Sequence, residues 1–550
     1  MKKLCIVFIF LAFTFSLSSS PYEMILVGDP VLEDLRFLSL ESGLSILSFT
    51  PPFPPHELEL FLNSLDTSTL SSPALEAYNR IRERLIPRVS LKLFESDNFL
   101  LGINIISTLE FRGRSNDNIS WYPQYPRVPS FLNFPLRFFF MDSLMLYVEP
   151  QLTMKTAHYI EKSHPFALNT AYEYQTLDFF MPFRAFITTG GSWWNFQLGR
   201  DRLSFGSGQM GNLAISDNPD FYEFMRVSLF SKYLKYTSLT AQMPFEVNES
   251  FFSESLLNHD EFDLDKANFN RTMQRYLYLH RLDFNFFDKF SFGAMEGVMV
   301  GNAPLELRYL NPLMIFHSFF SWNNYDPWLG TVEEASDWGS VIGSLFSLEA
   351  NFSIFKSLSI YGQFVMNEFA TAQEREENSN QPPNGIGYMA GIRYSHSFNV
   401  WASSFFFEFT STDAYLYLNP SPFASYIQMR YTPEPSYAFT GYPRDLIIYT
   451  LGGRFFKNDI MSFSGVFSLL LNGERDMIYD WEISPRAGNE KNPSGIAEEK
   501  FIGTLSAEWK FHPMFNIKGS LTGIVSRNNR HVIGSNETGF QSTLSLSFTY

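Results

Sequence analysis

The 550-residue sequence contains a single cysteine, Cys5. Cys5 lies inside the first apolar run, so a chain cleaved after that run would contain no cysteine. The absence excludes structural disulfides and thiolate metal sites from the mature protein. It also excludes a lipid anchor on Cys5, because a lipidated cysteine follows the apolar run of its signal and Cys5 precedes most of it.

Long apolar runs are also missing. After the first twenty residues, no stretch has the ~18 or more apolar residues of a transmembrane helix. The mean hydropathy of the whole chain is −0.10. The net charge of −16 lacks the basic excess of a nucleic-acid-binding protein. The histidines form no H-x-x-x-H pair, and no G-x-S-x-G elbow occurs. We therefore expect no metal, no cofactor, no nucleic-acid partner and no enzymatic activity.

The first twenty residues have the layout of a secretory signal peptide. Lys2 and Lys3 form a basic start, residues 4–15 are almost wholly apolar, and Ser18 to Ser20 supply small residues for cleavage. The apolar run is too short to span a membrane. The prediction is a signal peptide over 1–20 and a mature chain that starts near Pro21.

Aromatic residues are abundant, at 17% of the chain, with 60 Phe, 27 Tyr and 9 Trp. A soluble core does not need so many, whereas a transmembrane β-barrel carries them on its lipid-facing wall and in girdles at both interfaces. Composition alone leaves an aromatic-rich soluble β-protein as the alternative.

Residues 21–87 differ from the rest of the chain and are predicted to be helical. Leu32, Leu35 and Leu38 recur at helical spacing, the proline-rich stretch 49–55 breaks any helix, and Ser72-Pro73 forms an N-cap and N1 pair. Helices this short need a surface to lie against. We expect them to brace or plug a barrel on its periplasmic side.

From about Val89 the pattern changes to a period of two, which is clearest where Leu544, Leu546, Phe548 and Tyr550 alternate with polar residues. Very short turns, as at 287–290 and 512–514, alternate with long polar segments, as at 472–498. This predicts an all-β barrel over 88–550 with about 18 antiparallel strands, 16 and 20 remaining open. It would lie in the outer membrane of a double-membrane bacterium, in contact with outer-membrane lipid.

The segment 206–211 matches G-x-G-x-x-G, the dinucleotide-binding fingerprint. That fingerprint requires a strand before it and a helix after it, whereas both flanks here have a strand pattern. The glycines instead indicate a tight bend or a close backbone approach inside the barrel.

Charged residues within aromatic strands are expected to point into a polar lumen. Carboxylates such as Glu296 and Glu408 would pair there with arginines. The predicted lumen charge network consists of Arg200, Arg202, Arg281 and Glu296. No two carboxylates can be placed from sequence at the spacing that a glycosidase needs.

The segment 322–328 combines aromatic and polar side chains. Aromatic faces beside amides and carboxylates suit a sugar, whose C–H faces stack and whose hydroxyls form hydrogen bonds. The predicted glycan-binding residues are Trp322, Asn324, Tyr325, Asp326 and Trp328. The alternatives are an interfacial aromatic cluster or a loop that packs on itself.

Several stretches resemble the Wzi-type capsule assembly family. Residues 198–208 followed by 211–218 are similar to its GR…WGPG…L.LS.NA pattern, with Phe205 and Ser207 in place of Trp and Pro. Further likenesses lie in 278–283 with 292–298, in 307–316, and in the opening helix at 34–43. The resemblance implies an outer-membrane β-barrel lectin that binds surface polysaccharide. The aromatic last residue, Tyr550, also resembles the ending that the barrel assembly machinery recognises in such proteins.

The leading hypothesis is therefore an outer-membrane barrel that binds and helps assemble or retain a capsular or related surface polysaccharide. The alternative is a porin or substrate channel, which would need an open lumen ringed by charges of one sign. An outer-membrane hydrolase is the third hypothesis, and the sequence offers no convergent nucleophile, acid or base for it.

Overall fold

A computed structural model of the chain describes residues 23–87, 89–119, 129–141, 143–154, 166–169, 177–180, 183–219, 221–243, 245–246, 272–273, 275–301, 304–312, 314–316, 341–368, 384–418, 426–428, 436–437, 444–475 and 492–550. Within these ranges, no helix combines the length and hydropathy that crossing a bilayer requires. The predicted signal peptide at 1–20 lies outside the described residues.

Three α-helices precede the strands: α1 (Val31–Ser42), α2 (Pro55–Leu62) and α3 (Ser72–Arg84). Gly43 ends α1 with a φ of 71°, and its N–H bonds the carbonyls of Ser39 and Leu40. The N-cap of α3 is Ser71, whose side chain accepts from the N–H of Ala74. The predicted Ser72-Pro73 pair is therefore shifted by one residue, because Ser71 has the extended backbone that an N-cap needs.

The helices pack together through α1 and α3. Leu35, Leu38, Ala77 and Ile81 are fully buried between them, and the Arg80 guanidinium binds both carboxylate oxygens of Asp34 at 2.6 and 2.8 Å. The leucines at helical spacing thus form the contact face that the sequence pattern indicated.

Twenty-eight strand segments follow in the described residues. The first fifteen are β1 (Leu91–Ser96), β2 (Phe99–Ile103), β3 (Ile106–Arg114), β4 (Leu132–Asn133), β5 (Leu136–Phe140), β6 (Leu144–Val148), β7 (Gln151–Met154), β8 (Phe166–Leu168), β9 (Leu177–Phe180), β10 (Ala185–Gly190), β11 (Trp194–Asp201), β12 (Tyr222–Phe230), β13 (Leu234–Gln242), β14 (Phe245–Glu246) and β15 (Thr272–Met273). The rest are β16 (Arg275–Phe286), β17 (Phe290–Gly301), β18 (Val341–Phe355), β19 (Leu358–Glu368), β20 (Gly385–Phe398), β21 (Trp401–Thr412), β22 (Ile427–Gln428), β23 (Ser436–Tyr437), β24 (Leu446–Lys457), β25 (Met461–Asn472), β26 (Glu498–His512), β27 (Phe515–Arg527) and β28 (Glu537–Thr549).

The main sheet is antiparallel throughout and closes on itself, because β28 pairs with β3 from Thr549↔Ile106 to Gln541↔Arg114. Four strands of the wall are interrupted, and each consists of two consecutive segments. These pairs of segments are β2 and β3, β4 and β5, β6 and β7, and β9 and β10. With these counted once and the short β1 and β8 set aside, the ring of described strands has 18 members. The fold prediction of a barrel of about 18 antiparallel strands with short N-terminal helices is confirmed.

Side chains alternate between the two faces of the wall, as β16 illustrates. Leu282 and Phe286 are 42% and 44% exposed on the outer face, whereas Arg281 and Asp283 are 2% and 1% exposed on the inner face. The same alternation leaves an apolar outer surface around the barrel that suits contact with lipid. Exposed members on other strands include Leu109, Phe346, Phe407, Leu451, Phe467, Leu505, Leu521 and Leu544.

An aromatic girdle surrounds the barrel at the end with short turns. The turn between β16 and β17 contains only residues 287–289. Phe287 and Asp288 both have a φ of 56°, which is typical of tight hairpin turns. Rings next to these turns contact one another across strands; they include Phe286, Phe290, Phe352, Phe398, Trp401, Phe455, Trp509, Phe511, Phe515 and Phe548. This girdle marks one membrane interface.

The N-terminal segment enters the lumen at this same end. Lys235, on the inner face of β13, forms a buried ion pair of 2.6 Å with Glu57 of α2. Arg226 of β12 donates to the carbonyl of Pro52 at 2.7 Å. Glu41 of α1 accepts hydrogen bonds from three wall serines; these are Ser357, Ser395 and Ser397. We call residues 23–87 the plug segment.

One segment packs against the outside of the wall. The rings of Tyr278 and Tyr309 stack at 4.9 Å, and those of His280 and Phe316 stack at 4.4 Å. Tyr278 and His280 share their face with exposed Leu282, so residues 304–316, where described, cover the outer wall.

Candidate functional site

The two ends of the barrel differ in their connections. The short turns and the plug segment share one end, which is the periplasmic side of an outer-membrane barrel. The opposite, extracellular end carries the long segments between strands, such as those that join β11 to β12 and β25 to β26. A site that faces the cell exterior must therefore be built from these segments.

The predicted glycan-binding residues Trp322, Asn324, Tyr325, Asp326 and Trp328 all belong to 317–340, which lies outside the described residues. They stay a prediction.

Arg281 lies in the lumen within a buried charge cluster. Its guanidinium donates to Asp283 at 2.6 Å and to Glu349 at 2.8 Å, and all three side chains are nearly inaccessible. A cavity of about 20 Å³, the size of one or two water molecules, separates this cluster from the plug segment. The pairing keeps the buried charges satisfied.

The other three predicted lumen charges are not part of this cluster. Arg200 shares its face with Leu198, which is 46% exposed, and pairs with Glu223. Glu296 faces outward, opposite His280 and Phe346 in the neighbouring strands. Arg202 lies beyond β11 and pairs with Asp217 at 3.4 Å. The prediction of one lumen network is therefore corrected, because strand alternation turns Arg200 and Glu296 to the outer face.

The connection between β11 and β12 folds back into the lumen; we call residues 202–218 the lumen loop. Phe205 and Ile215 pair their backbones at 2.8 Å, and Leu203, Phe205, Leu213 and Ile215 are buried. They join one large apolar cluster with inward residues of the wall, including Leu239, Leu277, Met299, Leu345 and Val365. The extracellular half of the lumen is thus occupied by packed side chains.

The glycine motif at 206–211 forms the tip of the lumen loop. A Cβ on Gly206 or Gly208 would collide with Asn212 or with the carbonyl of Gly211. Asn212 Oδ1 accepts from the N–H of Gly208 at 3.0 Å and closes the turn. The prediction of a close backbone approach inside the barrel describes this turn, and a strand rather than a helix follows the loop.

A group of polar side chains lines the extracellular end; we call it the polar rim. In its first part, buried Asp445 accepts from the N–H groups of Ser494 (2.8 Å) and Arg475 (3.3 Å). Asp413 accepts from the N–H of Ile386 at 3.2 Å and from the amide of Asn492 at 3.5 Å. Burial, with a smaller effect from Asp445, raises the pKa of Asp413 to about 6.

The second part of the polar rim is rich in amides. Asn116 and Asn118 donate to the two carboxylate oxygens of Glu537 at 2.8 and 3.1 Å. Ile496 connects the two parts, because its N–H bonds Glu474 and its carbonyl bonds the ring of His531. The rim thus extends over the connections at the extracellular ends of seven neighbouring strands, which are β21, β24 to β28 and β3.

Amides and carboxylates held in this way suit ligands that carry many hydroxyl groups, because both can accept a hydroxyl proton and the amides can also donate. Within the described ranges, no three His, Cys, Asp or Glu side chains form a group that could hold a metal ion. Sequence reasoning missed the rim because its members come from distant loops and form no local motif. Repeated asparagines at 116 and 118 and at 528 and 529 were the one available signal.

The family model described as capsule assembly protein Wzi matches residues 132–431, more than half of the chain. The chain belongs to the Wzi capsule assembly family. It is therefore an outer-membrane β-barrel of a family of capsule assembly proteins and not of a family of enzymes. The match includes the lumen loop, which belongs to one of the stretches that resemble the family in sequence.

A solved structure of a related barrel has this fold. Wzi of Escherichia coli is described as an outer-membrane protein involved in group 1 capsule assembly and as a carbohydrate-binding β-barrel. It superposes with a TM-score of 0.54 at 14% identity, covering 95% of this chain and 98% of that one. OprD of Pseudomonas aeruginosa has a TM-score of 0.39 at 6% identity, with coverages of 84% and 99%. Among curated proteins, none matches this sequence.

Proposed function

We propose that this Wzi-family barrel binds a surface polysaccharide at its extracellular end and helps to retain it on the cell. The observation that carries the proposal is the polar rim, which presents amides and carboxylates at the outer mouth of a barrel whose lumen is occupied. A polymer would then contact the mouth of the barrel without passing through it.

The chemistry of the rim supports a carbohydrate ligand. Glu474, Asn118 and Arg530 are exposed, and Asn116 and His531 are partly exposed, so polar groups of the rim face solvent. Their mutual hydrogen bonds fix their positions before a ligand arrives, which reduces the entropy lost on binding. We propose that Trp322 and Trp328 add the aromatic faces on which sugar rings stack.

The remaining expectations about the chain complete this proposal. Residues 1–20 are removed as a signal peptide, residues 21–87 brace the periplasmic side, and residues 88–550 form the barrel. The segment ending at Tyr550 is recognised by the barrel assembly machinery.

The test is binding of the refolded, detergent-solubilised mature protein to an array of surface glycans that includes the producing cell's own polysaccharide. We expect saturable binding that falls in Trp322→Ala and Trp328→Ala and in rim variants such as Asn118→Ala. Asn516→Ala, which removes an amide near the periplasmic turns, is the matched control and should bind normally. Absence of binding by a protein whose folding has been verified would overturn the proposal, and conductance in planar bilayers would favour a channel.

A further inference from the structure

The tip of the lumen loop is held by a buried carboxylate. Glu408, on the inner face of β21, is 1% exposed. Its oxygens accept from the N–H of Gln209 at 2.8 Å, from the N–H of Met210 at 3.2 Å and from the hydroxyl of Tyr361 at 2.7 Å. Hydrogen bonds to a charged acceptor are stronger than neutral ones, so Glu408 is the main polar anchor of the loop tip.

The same loop contacts an extracellular segment. The hydroxyl of Tyr417 donates to the carbonyl of Leu213 at 2.5 Å. Tyr417 belongs to residues 413–418, which follow β21 and begin with the rim residue Asp413. Asn367 holds this segment on the wall through the N–H of Tyr417 and the carbonyl of Leu418.

On its other side the lumen loop contacts the plug segment. The N–H of Gly206 donates to the carbonyl of Phe49 at 2.9 Å, and the N–H of Ser204 donates to the carbonyl of Pro51 at 3.3 Å. Phe53 in turn pairs its backbone with Ile25 at 2.9 Å. Hydrogen bonds therefore run from the extracellular segment 413–418 through the lumen loop to the plug segment.

Gln363 of β19 connects the part of the lumen loop that contacts segment 413–418 with the part that contacts the plug segment. Its side-chain oxygen accepts from the N–H of Leu213 at 2.6 Å, and its nitrogen donates to the carbonyl of Phe205 at 3.2 Å. Leu213 meets the extracellular segment and Phe205 adjoins the plug contact. The loop is also tightly packed, and packed elements of this kind shift as units rather than deform gradually.

We infer that the lumen loop couples the extracellular segment 413–418 to the periplasmic plug segment, with Glu408 as the positioning residue that keeps both contacts made. Release of the Glu408 anchor loosens both ends together. Coupling of this type is reciprocal, so a change at Tyr417 also reaches the plug segment. A role of this coupling in signalling to the periplasm that a glycan occupies the polar rim rests on the proposed function. The coupling itself does not.

The test is hydrogen–deuterium exchange of the refolded full barrel in detergent, without glycan. In Glu408→Ala we expect amides of 205–213 to exchange about tenfold faster or more, with about threefold faster exchange in 413–418 and at Phe53. Glu110→Gln is the matched control: it alters another inward carboxylate, which pairs with Arg112 away from the loop. It should leave all three segments unchanged.

A second variant protects the test against simple misfolding. Tyr417→Phe keeps the buried ring and removes only the hydroxyl that bonds Leu213, and we expect faster exchange at Gln209, Met210 and Phe53. If Glu408→Ala accelerates exchange in 205–213 alone, or Tyr417→Phe in 413–418 alone, the coupling is refuted. Because no ligand is present, failure of the glycan-binding proposal would not alter either result.

Discussion

The ring of Tyr361 on β19 lies over Gly391 on β20, and its hydroxyl donates a 2.7 Å hydrogen bond to Glu408 on β21. Gly391 pairs with both residues across the sheet, so the three sit side by side on the inner face. Any side chain at 391 would occupy the space of the ring. The glycine thus gives Tyr361 the room to reach the carboxylate that anchors the lumen loop.

Gly391→Ala should therefore displace Tyr361 and destabilise the barrel by about 1–3 kcal/mol, the usual cost of forcing extra volume into a packed interior. Thermal unfolding in detergent measures the effect. Gly519→Ala is the control, because a Cβ there would lie 3.7 Å from Leu544, an ordinary contact. Equal unfolding temperatures for the two variants would contradict this account.

The buried ion pair between Lys235 and Glu57 should hold the plug segment to the wall. Glu57→Ala leaves the Lys235 ammonium buried without its carboxylate, which typically costs about 3–5 kcal/mol. Limited proteolysis of the plug segment should become faster in this variant. The double variant Glu57→Leu with Lys235→Met should regain most of the protection, since no isolated charge then remains; failure to do so would mean that the charges themselves are required.

The raised pKa of Asp413 predicts a pH dependence of stability. Between its ordinary value of 3.8 and about 6, the folded protein holds a proton that the unfolded chain releases. This stabilisation is therefore full below 3.8 and is lost as pH rises through about 6, a change of about 2 kcal/mol after allowance for partial solvent access. Unfolding temperatures of Asp413→Asn should show less decline than wild type between pH 4.5 and 7.5. Parallel curves would contradict the prediction.

The polar rim should contribute to glycan affinity through individual hydrogen bonds. Each lost bond is worth about 0.5–1.5 kcal/mol, so Asn116→Ala and Asn118→Ala should each weaken binding by about two- to tenfold. Titration calorimetry with the glycan identified on the array gives the dissociation constants. Unchanged affinity in both variants, with normal folding, would move the site away from the rim.

Part of the fold follows directly from residue patterns. The leucines of α1 and the terminating Gly43 predict a helix and its end, and the alternation that ends at Tyr550 predicts a strand. Short turns such as 287–288 predict which ends of the strands are periplasmic. These features depend on neighbours within a few residues, so local sequence is sufficient to predict them.

Other features required the folded chain. Alternation predicts which residues of a strand share a face with Arg200 or with Glu296, but it does not predict whether that face is the inner or the outer one. The exposed neighbours Leu198 and Phe346 show that both residues lie on the outer face. Glu408 was expected to pair with an arginine. Instead it accepts hydrogen bonds from the backbone N–H groups of Gln209 and Met210, which lie 199 and 198 residues away in the sequence. A loop that enters a lumen leaves no periodic signal.

The sequence by itself determined that the chain is an aromatic-rich β-barrel, how strands alternate with short turns along it, and which family it resembles. It could do so because apolar periodicity and turn chemistry are local properties. Only the tertiary structure decided which charges face the lumen, where the glycine loop lies and which loops form the rim. Those choices depend on barrel closure, which brings residues hundreds of positions apart within hydrogen-bonding distance, as it does for Asn116 and Glu537.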